Sequence, residues 1–107
     1  MDESAFVKLA GETLDRFADA IDDALGDEID VEMNGGILTL SLPGGGQYVV
    51  NAHAPNREIW LSSPVSGAWH FAPRDDGAWV SVRDGATALA PLLVAELGDR
   101  FGSAPDL

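Results

Sequence analysis

A chain of 107 residues with a 46% apolar content can bury one hydrophobic core, and that apolar share excludes a disordered acidic tail. Its net charge of −12 repels nucleic acid and anionic membranes and favours metal cations or a basic protein surface. Cysteine is absent, which excludes disulfides and any thiolate zinc or iron–sulfur site built from this chain. Met1 is followed by Asp2 and Glu3 rather than by a basic, apolar or Arg-rich leader. No apolar run approaches the ~20 residues that span a bilayer, so a cytoplasmic location is expected.

Eleven of the eighteen acidic residues lie within the first thirty-two positions, opposed there only by Lys8 and Arg16. The first helix is expected from an N-cap at Ser4 to Leu25, with Gly26 as a left-handed stop. At 100° per residue, Glu12, Asp15, Asp19, Asp22 and Asp23 fall within roughly a 100° arc. Phe6, Ala10, Thr13, Leu14, Phe17, Ile21, Ala24 and Leu25 cover the other side. The wet face is thus almost purely anionic. Asp15/Asp19 and Asp19/Asp23 are like-charge i,i+4 pairs, each costing about 0.2–0.5 kcal/mol. Asp22 and Asp23 also sit where the helix dipole prefers cations. A face needed only for solubility could alternate signs and avoid both costs.

Ile29, Val31 and Met33 then alternate with Asp30, Glu32 and Asn34, as in a half-buried strand. Asn34-Gly35-Gly36 signals a tight hairpin into a second strand carrying Leu38, Leu40 and Leu42. Pro43 to Gly46 turns the chain into a third strand, Tyr48 to Asn51. Further strands are expected over Glu58 to Ser62, around Trp69-His70-Phe71, and over Trp79 to Val82. A closing helix from Thr87 to Phe101 presents Leu89, Leu92, Leu93, Leu97 and Phe101, with Pro91 about one turn in. This order predicts one domain over residues 1–107 of the α+β class. It is a two-layer sandwich, its two terminal helices packed on one face of a five- to six-stranded antiparallel sheet. The other sheet face stays open to solvent.

Strand parity marks a second surface. Ile59 and Leu61 belong to the core side, which leaves Glu58, Trp60 and Ser62 on the open face. Asn51 and His53 share a parity, and His70 lies opposite to Trp69 and Phe71. Asn51, His53, Trp60 and His70 therefore form a candidate partner-binding patch around an exposed aromatic anchor. Trp79 reads as core.

Catalytic motifs are weak. Asp30, Glu32, Asn34 and Gly35 mimic an EF-hand loop, but Ser41 stands where a bidentate Glu is required. Pro43-Gly44-Gly45-Gly46 lacks the lysine and helix of a phosphate loop. No Glu-x-x-His pair exists for a di-iron centre, and Ser62 and Ser63 have no evident nucleophile partners. No enzyme is expected.

One segment is highly specific. Asn51, then Pro55-Asn56-Arg57-Glu58-Ile59-Trp60-Leu61-Ser62-Ser63-Pro64 and Ser66-Gly67, closely resembles the signature of the frataxin family, called CyaY in bacteria. The acidic first helix, Asp30-x-Glu32-x-Asn34-Gly35-Gly36 and Trp79-Val80 with Asp84-Gly85 match in order, so the resemblance spans nearly the whole chain. The Trp60 segment is closer to the mitochondrial than to the usual bacterial branch. The resemblance implies weak iron binding on an acidic ridge and docking onto the cysteine desulfurase/scaffold complex of iron–sulfur cluster assembly. Its ridge positions fall on Asp19, Asp22, Asp23, Asp30 and Glu32, and helix geometry adds Asp15 and Asp27. Its sheet-surface positions fall on Asn51 and Trp60, while His53 and His70 depart from the Gln and basic residue common in mitochondrial members.

The leading expectation is a non-enzymatic iron-binding accessory, a monomer in which other divalent ions compete for open carboxylates. The rival is a ferroxidase and iron store that assembles into oligomers with iron. A third class is an acidic interaction module with no metal role.

Overall fold

The computed structural model describes residues 1–107. Helix α1 (Glu3–Leu25) is followed by β1 (Asp30–Asn34), β2 (Ile37–Ser41) and β3 (Gln47–His53). A 3₁₀ turn at Ala54–Asn56 leads into β4 (Glu58–Ser63), β5 (Gly67–Pro73), β6 (Trp79–Ser81) and α2 (Leu89–Phe101). The six strands pair antiparallel in chain order, and both helices join the inner sheet face in one core. The α+β sandwich expected above is the fold, with six strands.

Alternation decides the layers. Leu38, Leu40, Tyr48, Val50, Ile59, Leu61 and Phe71 are 0–2% exposed and meet Phe6, Leu14, Ile21, Leu89, Leu93 and Leu97 from the helices. Burying each such side chain contributes about 1.5–3 kcal/mol relative to leaving it in water. Trp79 is core as expected, edge-on to Phe6, and its Nε1–H donates to buried Thr13 Oγ1 at 3.3 Å.

Several boundaries differ from expectation. The N-cap of α1 is Asp2, not Ser4, because the Asp2 carboxylate accepts from the Ala5 N–H at 2.7 Å. A carboxylate there also meets the positive end of the dipole. Gly26 is right-handed, φ −60°, rather than a left-handed stop. The Leu25 carbonyl is already satisfied by the Glu28 and Ile29 N–H groups, so no left-handed residue is needed. A Cβ at position 26 would instead run into the Asp22 carbonyl. Ala24 is exposed, at the edge of the apolar stripe.

Gly35 and Gly36, at φ 58° and 82°, make the expected hairpin turn, which requires two positive φ values. Val82 lies just beyond β6, and α2 begins at Leu89, later than the expected Thr87. Ala88 is bridged to Val80, and the Thr87 carbonyl accepts from Ser81 N–H, so both residues stay extended beside β6. Pro91 occupies the third helical position, where its missing N–H would have no helical partner anyway.

Candidate functional site

Two surfaces carry the sequence candidates. On α1 and the turn after it, Asp15, Asp19, Asp22, Asp23 and Asp27 are all exposed, as are Asp30 and Glu32 of β1. The last turn of α1 holds no basic residue to offset Asp22 and Asp23. Within 4.0 Å the only contact between a basic side chain and a carboxylate anywhere is His70 Nδ1 to Glu58 Oε1, at 3.8 Å. Every carboxylate of the ridge is therefore free of a Lys or Arg partner.

The seven do not share one face. Val31 and Met33 of β1 pack toward the core, so Asp30 and Glu32 point from the open side of the sheet, at its edge. The acidic surface thus turns a corner from the helix layer to the outer sheet face. Asp27, Glu28 and Asp30 line a shallow polar cleft at that corner with Ser41 and Pro43. Nowhere do three His, Asp or Glu side chains converge to enclose one ion. Such a surface can hold a hydrated cation by charge, without a fixed coordination cage.

The sheet face is ordered by register. Trp60 stands opposite Asn51 on β3 and His70 on β5. Parity put these residues and His53 on one face, and the structure brings all of them together. The indole of Trp60 is sandwiched between imidazoles, with ring centroids 3.6 Å from His53 and 4.2 Å from His70. Both pairs lie within 10° of parallel. Such stacking holds the ring flat and limits its motion.

Glu58 belongs to this patch and was missed as a site residue. It accepts the Trp60 Nε1–H at 2.8 Å and faces His70. The signal was available, since residues two apart in a strand share a face. His53 Nδ1 is buried with no hydrogen-bond partner.

Beneath the far end of the sheet, the Glu96 carboxylate of α2 gathers three hydroxyls. Tyr48 and Ser63 donate to Oε1 at 2.9 and 2.6 Å, and Ser66 donates to Oε2 at 2.6 Å. Burial, with the Glu96 charge beside it, pushes the Tyr48 phenol up to about 12. Ser66 also accepts the Trp69 indole N–H. This network ties α2 to the sheet, from the buried Tyr48 and Ser63 out to the exposed Ser66.

A frataxin-like domain model matches residues 1–103. The chain belongs to the frataxin family. It is 40% identical over 92 residues to the iron-sulfur cluster assembly protein CyaY of Vibrio cholerae, covering 86% of each chain. It is 46% identical over 68 residues to the mitochondrial frataxin homolog of Saccharomyces cerevisiae, covering 64% of this chain and 38% of that one. The chain thus spans well under half of the yeast protein's length. Among solved structures, frataxin from Psychromonas ingrahamii superposes with a TM-score of 0.85 at 24% identity, covering 99% of this chain and 97% of that one, which supports the fold. Trimeric yeast frataxin complexed with ferrous iron superposes at 0.76 with 39% identity, covering 88% and 86%. The expected family and fold therefore both hold for this chain. None of its helices is long and apolar enough to cross a membrane.

Proposed function

We propose that this chain is a non-enzymatic accessory of iron–sulfur cluster assembly. It binds Fe²⁺ or Fe³⁺ weakly on the ridge of Asp15, Asp19, Asp22, Asp23, Asp27, Asp30 and Glu32. It docks on the cysteine desulfurase/scaffold complex through the face of Asn51, His53, Trp60 and His70, as regulator or iron donor. The observation that carries the reading is the unpaired state of the ridge, since no carboxylate there meets a Lys or Arg. A surface that carries like-charge strain and forms no internal ion pairs is suited to an external cation or a basic partner. Open carboxylates at these positions favour modest affinity and competition from other divalent ions. The name of the Vibrio cholerae relative and the ferrous complex of the yeast relative support the same reading. Desulfurase and cluster-assembly rates, measured with and without this protein at fixed iron, test it. Unchanged rates over a concentration series would overturn it.

The trimeric state of that yeast structure favours one second reading, an iron-oxidising store built from oligomers. Against it, no three carboxylates converge within one chain. Oxygen consumption on adding Fe²⁺, with sedimentation before and after, separates the two readings.

A further inference from the structure

On the open sheet face, at the start of β4, lies a carboxylate with no permanent cation. The Glu58 side chain is only 15% exposed, and the Trp60 N–H holds Oε1 at 2.8 Å. The nearby arginines are committed elsewhere. Arg57 is turned to the Ala54 and Met1 carbonyls, Arg74 to the Gly85 carbonyl, and Arg83 lies over the Trp69 ring at 4.7 Å. The one base within 4.0 Å is His70, at 3.8 Å.

We infer that docking over Trp60 takes up one proton on His70, and that the partner patch is an apolar surface offering hydrogen-bond acceptors and no cation to Glu58. This rests on the docking reading above. A partner that covers Trp60 strips the remaining water from Glu58, and a dehydrated carboxylate must be paired or neutralised. An imidazolium at His70 serves both needs. It forms an ion pair with Glu58, and its ring already lies on the indole face at 4.2 Å, where a cation is attracted. The His70 side chain is 44% exposed, so its other nitrogen can donate to the partner.

His53, on the opposite face of the same indole, is built differently. Its Nδ1 is buried without an acceptor, so a proton there would become an unsatisfied buried donor. The two imidazoles therefore divide the work, with His53 a stacking neighbour and His70 the proton acceptor. Histidine is the side chain whose charge ordinarily changes between pH 5 and 8, so that is the range to test. A group that gains a proton on docking strengthens docking as pH falls.

Calorimetric titration of the full chain into the desulfurase/scaffold complex, in two buffers of different ionisation enthalpy, counts the protons directly. The expected result is uptake of about one proton and a Kd that falls about tenfold between pH 8 and pH 6. His70→Gln and Glu58→Gln should each abolish that slope, while His53→Gln should keep it. Docking without proton uptake, or a slope that survives His70→Gln, overturns the inference. Glu58→Gln weakening docking equally at every pH also overturns it, because a partner cation would then meet the carboxylate. No docking at any pH is a different outcome, and it overturns the docking reading together with this inference.

Discussion

The Trp60 indole N–H donates to Glu58 Oε1, two residues away on the same strand, at 2.8 Å. The bond satisfies the one polar atom of the ring internally. The ring, half-buried rather than fully exposed and covered on its two faces by His53 and His70, can then be overlaid by a partner without leaving a donor stranded.

Trp60→Ala is expected to leave the melting temperature nearly unchanged and to weaken docking sharply. The ring packs on the open face rather than in the core, where Ile59 and Leu61 are buried. Truncating an aromatic anchor costs about 2 kcal/mol or more in binding, about thirtyfold in Kd. A melting curve beside a docking titration checks both halves. Unfolding of the domain would show that the ring has a structural task.

The ridge makes the opposite trade between stability and binding. Asp19→Lys with Asp23→Lys turns the Asp15/Asp19 repulsion into an i,i+4 attraction, leaves one like-charge pair between the two lysines, and brings cations toward the C-terminal end of α1, where no basic residue now stands. Stability at low salt is expected to rise by about 0.5–1 kcal/mol. Fe²⁺ binding should weaken in the same protein, and docking should weaken in a salt-dependent manner. Thermal melts and metal titrations of the double mutant test this pairing.

Strand alternation is legible in the chain because each strand has one buried face. Ile59 and Leu61 against Glu58 and Trp60 is enough to place the aromatic patch. What parity leaves open is rotamer choice, so the sandwich of Trp60 between two imidazoles and the role of Glu58 emerge only in three dimensions. The ridge is legible along α1, where helical angles collect the aspartates. Its extension into β1 is less so, since the same alternation that turns the half-buried Val31 and Met33 to the core carries Asp30 and Glu32 onto the other layer. The Glu96 cluster is invisible to local pattern, because Tyr48 and Ser63 lie 48 and 33 residues away from it.

Titration with Fe²⁺ is expected to perturb the backbone amides from Asp15 to Asp30 before any others. These positions hold the densest run of exposed carboxylates, including the cleft of Asp27, Glu28 and Asp30. NMR spectra recorded along the titration locate the response. First effects at His53 and His70 would move the metal site to the sheet face.

The Glu96 network yields the last prediction. One carboxylate accepts from Tyr48, Ser63 and Ser66, and these bonds join α2 to β3, β4 and the turn after β4. Glu96→Ala strands the buried Tyr48 and Ser63 hydroxyls, and leaving a buried donor unsatisfied costs about 1–3 kcal/mol. The expected loss is about 2–4 kcal/mol for Glu96→Ala and about 1 kcal/mol for Tyr48→Phe. In the double mutant the losses should sum to less than their total, since the two changes remove one shared bond. The phenol also sets an alkaline limit. Tyr48 is held in its neutral form up to about 12, above its ordinary 10.0, so the fold favours the protonated state. That contribution is fully present below pH 10 and is lost as pH rises through 12. Denaturant melts at pH 9, 10.5 and 11.5 should show wild-type stability falling over that range. Tyr48→Phe, with no phenol to ionise, should fall less steeply, and parallel curves for the two proteins would refute the assignment.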